Sequence, residues 1–118
     1  MNSFRERYSY EKRIEEFNRL KIKHPDRLPI IVEKFTGDKH LPSLPKTKFL
    51  LQGNTTMGQL LYTVRCNLGM QLKPSIATFL FINNILPPSN MKLKEIYDIY
   101  KEPDGFLYII ISAENTFG

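Results

Sequence analysis

The residues Phe-Leu-Tyr-Ile-Ile-Ile at positions 106–111 are the most continuous apolar run of this 118-residue chain. Pro103, Asp104 and Gly105 come directly before the run, and these residue types are typical of a turn. An apolar run without alternating polar positions is typical of a strand that is buried on both faces. We therefore predict that residues 106–111 form a strand at the centre of a sheet.

Three more strands are predicted upstream of this central strand. Residues 28–35 are rich in β-branched side chains, and residues 46–51 alternate polar and apolar positions before two leucines. Residues 76–82 form a third apolar segment, which Asn83 and Asn84 end in a turn.

The first 27 residues are predicted to be helical. Ser9 is a suitable N-cap, and the apolar residues behind it recur at every third position: Ile14, Phe17 and Leu20. Pro25 ends this helix, because the residue before a proline avoids the helical region. Phe4 and Tyr8 indicate a shorter helix in front of it.

Two more helices are predicted between the later strands. Thr56 and Gln59 have the spacing of a capping box, and helical spacing follows at Leu60, Leu61, Val64 and Leu68. Asn90 is predicted to cap a last helix that carries Leu93, Ile96, Tyr97 and Tyr100 on one face. The resulting order of helix, helix, β, β, α, β, α, β is an α+β β-grasp plan with two additional N-terminal helices, although other α+β folds share this order.

Composition excludes several classes of protein. The single cysteine cannot form an internal disulfide or a Cys-rich zinc site, and it indicates a reducing compartment. No apolar run approaches the roughly 20 residues that span a bilayer, and the charged N-terminus lacks the apolar stretch of a signal peptide. We therefore expect neither a secreted nor a transmembrane protein.

We find no catalytic motif and expect no enzyme, cofactor or metal. His24 and His40 are the only histidines, and neither has a partner at metal-ligand spacing. Cys66 falls within an apolar helical pattern, so we predict that it is a packing residue.

The positive charge lies at the front of the chain. Residues 1–48 carry 12 basic and 7 acidic side chains, a balance of +5, and the remaining residues carry 5 of each. This distribution allows attraction of acidic partners, but the interleaving of Arg and Glu through residues 5–19 favours a solvated surface when charge alone is considered. No aromatic and basic platform typical of RNA binding accompanies it, so we expect no specific nucleic-acid partner.

Eight stretches in order along the chain resemble the autophagy ubiquitin-like modifier family, of the gamma-aminobutyric-acid-receptor-associated protein type. They are residues 10–13 (YEKR), 24–34 (HPDRLPIIVEK), 48–50 (KFL), 58–60 (GQL), 81–84 (FINN), 86–88 (LPP), 104–108 (DGFLY) and 114–118 (ENTFG). The resemblance implies one domain, with a helical extension at 1–27, a ubiquitin-like core at 28–116 and a conjugation tail at 117–118.

The resemblance also implies a function at the final residue, Gly118. Its carboxylate would be activated with ATP, passed as a thioester to a conjugating enzyme, and joined to the amine of phosphatidylethanolamine. Thr116 and Phe117 would form the tail that these enzymes and the family's deconjugating protease recognise. The protein would then be cytoplasmic, and on the autophagosome membrane when lipidated. Gly118 is either the encoded end or a processed one.

The family also binds cargo receptors through acidic peptides of the form aromatic-x-x-aliphatic, which add a strand to the sheet. By position, the aromatic pocket would comprise Glu16, Leu20, Pro29, Ile31, Lys48, Leu50 and Phe106. The aliphatic pocket would comprise Phe49, Leu51, Leu60 and Thr63, and the acidic flank would face Arg27, Lys46 and Lys48. Each apolar member can alternatively belong to the core, and this alternative is stronger for Ile31 and Leu60 than for Leu50.

Several positions depart from the family pattern. Gln52 and Thr55 replace a proline and an aliphatic residue, and the changes at Leu60 and Thr63 predict a shallower or more polar second pocket. Residues 69–74 form a longer loop than is usual. An alternative function is therefore a non-covalent adaptor for trafficking or cytoskeletal partners, which would not need the terminal glycine.

Overall fold

The structure of the protein is a computed structural model, which describes residues 3–113. Its helices are α1 (Phe4–Arg7), α2 (Tyr10–Lys23), α3 (Met57–Leu68) and α4 (Leu93–Tyr100). Its strands are β1 (Arg27–Lys34), β2 (Lys48–Gln52), β3 (Phe79–Phe81) and β4 (Leu107–Ser112), and a short 3-10 turn (Gly69–Gln71) follows α3. The predicted order of elements is confirmed.

The four strands form one mixed sheet in the order β2-β1-β4-β3. β1 is antiparallel to β2 and parallel to β4, which in turn is antiparallel to β3. β4 therefore lies inside the sheet, and all of its residues except Ile110 are buried. The prediction of a central strand is confirmed by this position and burial. A continuous apolar run is stable in such a strand because both of its faces are covered.

The main core lies between one face of the sheet and helices α3 and α4. α3 contributes the buried residues Met57, Leu60, Val64 and Leu68, and α4 contributes Leu93, Ile96 and Tyr97. They pack on the inward side chains of β1 and β4, including Ile30, Val32, Leu107, Ile109 and Ile111.

The opposite face of the sheet is covered by α1 and α2. A second cluster forms there from Phe4, Leu20, Ile31, Phe106 and Tyr108. The ring of Phe4 meets that of Phe106 edge-on with 5.2 Å between centroids, a favourable aromatic geometry. The N-terminal helices are therefore packed parts of the domain.

Asp104 joins both N-terminal helices to the turn before β4. Its side chain is buried, and it accepts hydrogen bonds from Arg13 Nε at 2.9 Å and from the Tyr108 hydroxyl at 2.6 Å. Burial and this bond to Asp104 raise the pKa of Tyr108 above its ordinary value. Arg13 Nη1 also donates to the carbonyls of Tyr8 and Arg5, at 2.8 and 3.2 Å. We call this the Arg13–Asp104 clasp.

The N-terminal caps follow the sequence pattern. Ser9 Oγ accepts from the Lys12 amide, and Thr56 and Gln59 form the predicted capping box. Ser3 forms a further capping box that starts the separate helix α1, so the helical segment 1–27 is two helices. α2 ends at Lys23, ahead of Pro25 as predicted.

Two predicted boundaries were wrong, because tertiary hydrogen bonds replace the local signals. The strand predicted at 76–82 is only Phe79–Phe81, since the Ile76 amide donates to the Lys73 carbonyl and Arg65 Nη1 donates to the Ile76 carbonyl, so both backbone groups of Ile76 are bonded outside the ladder. Asn90 does not cap α4: its N-cap is Lys92, which makes no side-chain bond. The first amides of α4 instead donate to the carbonyls of Thr55 and Gly53.

The prediction that Cys66 packs in the core was also wrong. Cys66 is exposed. It lies two residues after the buried Val64, which places it about 200° around the helix from the stripe that faces the sheet.

Replacing Gly105 with Ala should destabilise the protein by about 2–4 kcal/mol, from backbone strain and overpacking together. Gly105 has a φ of 95°, and an added Cβ would lie 2.5 Å from the ring of Phe17. Gly69→Ala is the matched control, since Gly69 also has a positive φ but faces open space, so it should cost the backbone strain alone, about 1–3 kcal/mol and less than Gly105→Ala. Urea unfolding measures both costs, and equal costs would contradict the contact with Phe17.

Candidate functional site

The structure brings the seven predicted aromatic-pocket residues together. Glu16 and Leu20 lie four residues apart on α2 and therefore share one face of that helix. The strand register pairs Pro29 with Leu50 and Ile31 with Lys48, so these four side chains lie on the sheet face that α2 covers. Phe106 directly precedes β4 and packs in the same cluster.

Burial divides this set into a floor and an accessible rim. The floor is formed by side chains that are almost wholly buried: Leu20, Pro29, Ile31 and Phe106. Leu50 is half-buried and is the apolar member that a partner can reach, with Glu16 and Lys48 beside it. The expectation that Ile31 belongs to the core more than Leu50 agrees with this arrangement.

Glu16 lies between two cations at the rim. Arg19 binds its carboxylate with two parallel hydrogen bonds of 2.8 and 2.9 Å, and Lys48 Nζ donates to Oε2 from β2. The hydrogen bonds from Arg19 are the largest influence on the pKa of Glu16, and they lower it. Burial opposes them and raises the pKa, while Lys48 lowers it further, so that the net result is a pKa of about 2. The carboxylate is therefore charged throughout the physiological range.

A groove of about 330 Å³ continues from this rim along the N-terminal helices. It is lined by Phe4, Tyr8, Lys12, Glu15, Glu16, Arg19 and Lys48. The sequence reasoning missed Phe4, Tyr8, Lys12, Glu15 and Arg19 as site residues. The helical spacing of residues 12, 15, 16 and 19 was a usable signal for the α2 members, because it places them along one side of α2.

The backbone of β2 is suited to accept an additional strand. β2 is an edge strand, and Pro29, which has no N–H, lies opposite Leu50. The Val32 amide donates to the Thr47 carbonyl, so the groups that point toward β1 belong to residues 47, 49 and 51. Because this direction alternates along an antiparallel strand, the N–H and C=O groups of Lys48 and Leu50 point away from β1, toward the edge.

The three predicted acidic-flank cations are spread along β2. Lys46 precedes the strand and stacks over the Phe49 ring at 4.8 Å from its centroid. Lys48 is bound to Glu16 in the middle, and Arg27 lies opposite Gln52 at the far end. Arg27 Nη1 reaches the Leu50 carbonyl at 3.4 Å. The three cations are therefore distributed along β2, and the charge of the middle one is compensated by the Glu16 carboxylate.

The four predicted aliphatic-pocket residues are divided between core and surface. Phe49 and Leu60 expose 2% and 0% of their surface and pack in the main core. Leu51 is half-buried and Thr63 is exposed, and both line a groove of about 780 Å³ beside the start of α3. The other side chains of this groove are mostly polar: Thr55, Thr56, Gln59, Tyr62, Ser89 and Asn90. Leu51 is therefore the one aliphatic side chain among the residues that line this groove, and most of the others are of polar type.

The predicted conjugation residues Thr116, Phe117 and Gly118 lie outside the described residues. β4 ends at Ser112, and Ala113 is the last residue that the structure describes.

Within residues 3–113, His, Cys, Asp and Glu form no group of three or more that could hold a metal ion. No helix in this part of the chain has the length and apolarity needed to cross a membrane.

A β-grasp sheet that carries two packed N-terminal helices and an accessible edge strand defines a ubiquitin-like protein, with the edge of β2 and the adjoining groove as its candidate site. The family model described as "Autophagy protein Atg8 ubiquitin like" matches residues 12–118. The chain belongs to this Atg8 family of autophagy ubiquitin-like modifiers, which confirms the resemblance.

Similar proteins cover the full chain. Autophagy-related protein 8h of Arabidopsis thaliana is 38% identical over 118 residues, which are 100% of this chain and 97% of the relative. Autophagy-related protein 8 of Schizosaccharomyces pombe is 41% identical over 117 residues, 99% of this chain and 94% of the relative. Autophagy-related protein 8 of Pichia angusta is 40% identical over 117 residues, 99% and 91% respectively.

The Glu16 carboxylate should titrate near pH 2, and Arg19→Gln should raise its pKa more than Lys48→Gln. A depressed pKa in the folded state means that the carboxylate stabilises the fold above pH 4.5, and that this contribution disappears as the pH falls toward 2. NMR titration of the Glu16 side-chain carboxyl carbon measures the pKa in each variant. A larger pKa shift in Lys48→Gln would show that the contact between β2 and α2, and not the bonds from Arg19, is the main cause of the low pKa of Glu16.

Proposed function

We propose that this autophagy ubiquitin-like modifier is conjugated through Gly118 to phosphatidylethanolamine, and that it recruits cargo receptors to forming autophagosomes. It is found in the cytoplasm, and on the autophagosome membrane when lipidated. Its partners are the activating, conjugating and deconjugating enzymes of this modifier pathway. The observation that carries the proposal is the Atg8 family match, which extends through Gly118.

The chemistry makes this protein a substrate of acyl transfer and not a catalyst. The Gly118 carboxylate attacks ATP and forms an acyl adenylate with release of pyrophosphate. A thiolate of the activating enzyme then displaces AMP to give a thioester, and a thiolate of the conjugating enzyme displaces the first thiolate to give a second thioester. The lipid amine finally displaces the conjugating-enzyme thiolate to give an amide, losing one proton. Glycine suits these steps because the absence of a Cβ lets each nucleophile approach the carbonyl closely.

The lipid supplies stable membrane attachment. Each buried CH₂ of an acyl chain contributes about 0.8 kcal/mol, and two chains together anchor a protein where one gives only reversible binding. The +5 charge of the chain alone gives a weaker, salt-sensitive attraction to anionic lipids. The covalent lipid therefore determines where the protein resides.

Cargo receptors bind as an additional strand on β2. The outward backbone groups of Lys48 and Leu50 pair with the receptor peptide, and its aromatic side chain packs on Leu50 beside the Glu16–Lys48 ion pair. The cations Arg27, Lys46 and Lys48 attract the acidic residues that precede the aromatic one. The aliphatic residue of the peptide contacts Leu51 and Thr63 at the second groove.

The scarcity of aliphatic side chains at the second groove favours an alternative function as a non-covalent adaptor. With Phe49 and Leu60 buried, Leu51 is the one aliphatic side chain that lines the groove, so the aliphatic residue of the usual receptor peptides has fewer aliphatic partners there. Such an adaptor would serve trafficking or cytoskeletal partners and would not use Gly118.

A reconstituted reaction should convert the chain to a phosphatidylethanolamine adduct. The reaction contains the activating and conjugating enzymes of the same organism, ATP and phosphatidylethanolamine liposomes, and mass spectrometry identifies the product. Gly118→Ala is the control and should give no adduct. If the enzymes are active on another family member but leave this chain unmodified, the adaptor function is correct.

Leu50→Ala should weaken an acidic Trp-x-x-Leu peptide about tenfold, because the accessible apolar surface that receives the Trp ring is lost. Isothermal titration calorimetry measures the affinity. Leu86→Ala is the matched control, since Leu86 is 46% exposed and lies outside the proposed site. Equal affinities of the Leu50→Ala and wild-type proteins would place the peptide elsewhere.

A further inference from the structure

The carboxylate of Asp38 lies at the point where β4 ends. Its Oδ2 accepts hydrogen bonds from the Ala113 amide at 2.6 Å and from the Ser112 hydroxyl at 3.1 Å. Its Oδ1 accepts from the amides of His40 and Leu41, both at 2.8 Å. One side chain therefore joins the loop after β1 to the last described residue of the chain.

The hydrogen bonds from Asp38 hold the chain one residue beyond the last β4 residue that pairs with a neighbouring strand. Within the sheet, the last β4 residue paired with β3 is Ser112, opposite Phe79, and the Phe35 amide donates to the Ile111 carbonyl on the β1 side. The Ala113 amide lies one residue further and is held by Asp38. A bond from an amide to a carboxylate is roughly twice as strong as one between neutral groups, so Asp38 is an effective anchor.

We propose that Asp38 is a positioning residue for the conjugation of Gly118. By holding the Ala113 amide, it fixes the point from which residues 114–118 extend to the active sites of the modifying enzymes. The proposal rests on the conjugation proposed above. Asp38 acts on the origin of the tail and not on the reacting carbonyl.

The length of the tail gives the size of the effect. Five residues span at most about 17 Å, so Gly118 lies no further than that from the anchored residue. If β4 frays by about two residues without the anchor, this upper bound rises to about 24 Å, and the volume within it grows nearly threefold. The effective concentration of the Gly118 carboxylate at an enzyme active site then falls about two- to threefold.

The test is ATP–pyrophosphate exchange by the activating enzyme, measured as a function of modifier concentration. Asp38→Ala should lower kcat about two- to threefold and leave KM unchanged, because the folded surface that the enzyme recognises is intact. If the Asp38→Ala variant were only partly folded, the concentration of usable modifier would be lower than the nominal one. The apparent KM would then rise, and kcat at saturation would equal that of the wild type. Asp38→Asn, which keeps one oxygen acceptor and the side-chain size, should lower kcat in the same direction if Asp38→Ala does not fold.

Ser112→Ala is the matched control. It removes a second donor to the same Oδ2 and keeps the bond to the Ala113 amide, so its kcat should equal that of the wild type. Hydrogen exchange at the Ala113 amide should be at least tenfold faster in Asp38→Ala than in Ser112→Ala.

The two proposals fail in distinguishable ways. Wild-type exchange activity together with an unaltered kcat in Asp38→Ala would overturn the positioning role alone, as would unaltered hydrogen exchange at Ala113. Absence of exchange activity with the wild-type chain, under conditions where the enzyme activates another family member, would overturn the conjugation and the positioning role with it.

Discussion

The Arg13–Asp104 clasp is the interaction on which the arrangement of the N-terminal helices depends. Arg13 belongs to α2, binds the carbonyls of Arg5 and Tyr8 on the α1 side, and reaches the buried carboxylate that precedes β4. Breaking a buried ion pair costs about 3–5 kcal/mol, because the remaining charge is left without a partner. The clasp therefore selects one placement of α1 and α2 on the sheet.

That placement creates the candidate site. Only with α2 against the outer face of the sheet do Glu16 and Leu20 lie beside the side chains of β1 and β2. The bond from Lys48 to Glu16 then crosses from the edge strand to the helix, and Phe4 extends the same surface as part of α1. A ubiquitin-like sheet without these helices would keep the edge of β2 but would lack the polar side of the groove.

The sequence predicted those features that depend on local patterns. Periodicity and residue type predicted the central strand, the apolar faces of α2, α3 and α4, and the caps at Ser9 and Thr56. At these positions the tertiary contacts agree with the local pattern. The family resemblance supplied the seven aromatic-pocket positions, which periodicity alone does not identify. It also supplied Phe49 and Leu60 for the second pocket, but both side chains are buried in the core and leave Leu51 as the one aliphatic side chain that lines that groove.

The remaining features depend on contacts between residues far apart in sequence. Arg13 and Asp104 are separated by 91 positions, and Asp38 and Ala113 by 75. Asn90 was predicted as a cap because no local signal shows that the carbonyls of Gly53 and Thr55 satisfy the first amides of α4. Cys66 was wrongly predicted to be buried, because its position within α3 was taken as sufficient to place it on the apolar face that packs on the sheet.

Hydrogen exchange in an Arg13→Gln variant tests the role of the clasp most directly. Local opening is measured for each amide, so loss of protection can be assigned to one helix. The amides of α2 should lose at least tenfold protection, while those of α3, which packs on the other face of the sheet, keep wild-type values. Wild-type protection in α2, or an equal loss in both helices, would show that the clasp does not hold the N-terminal helices in place.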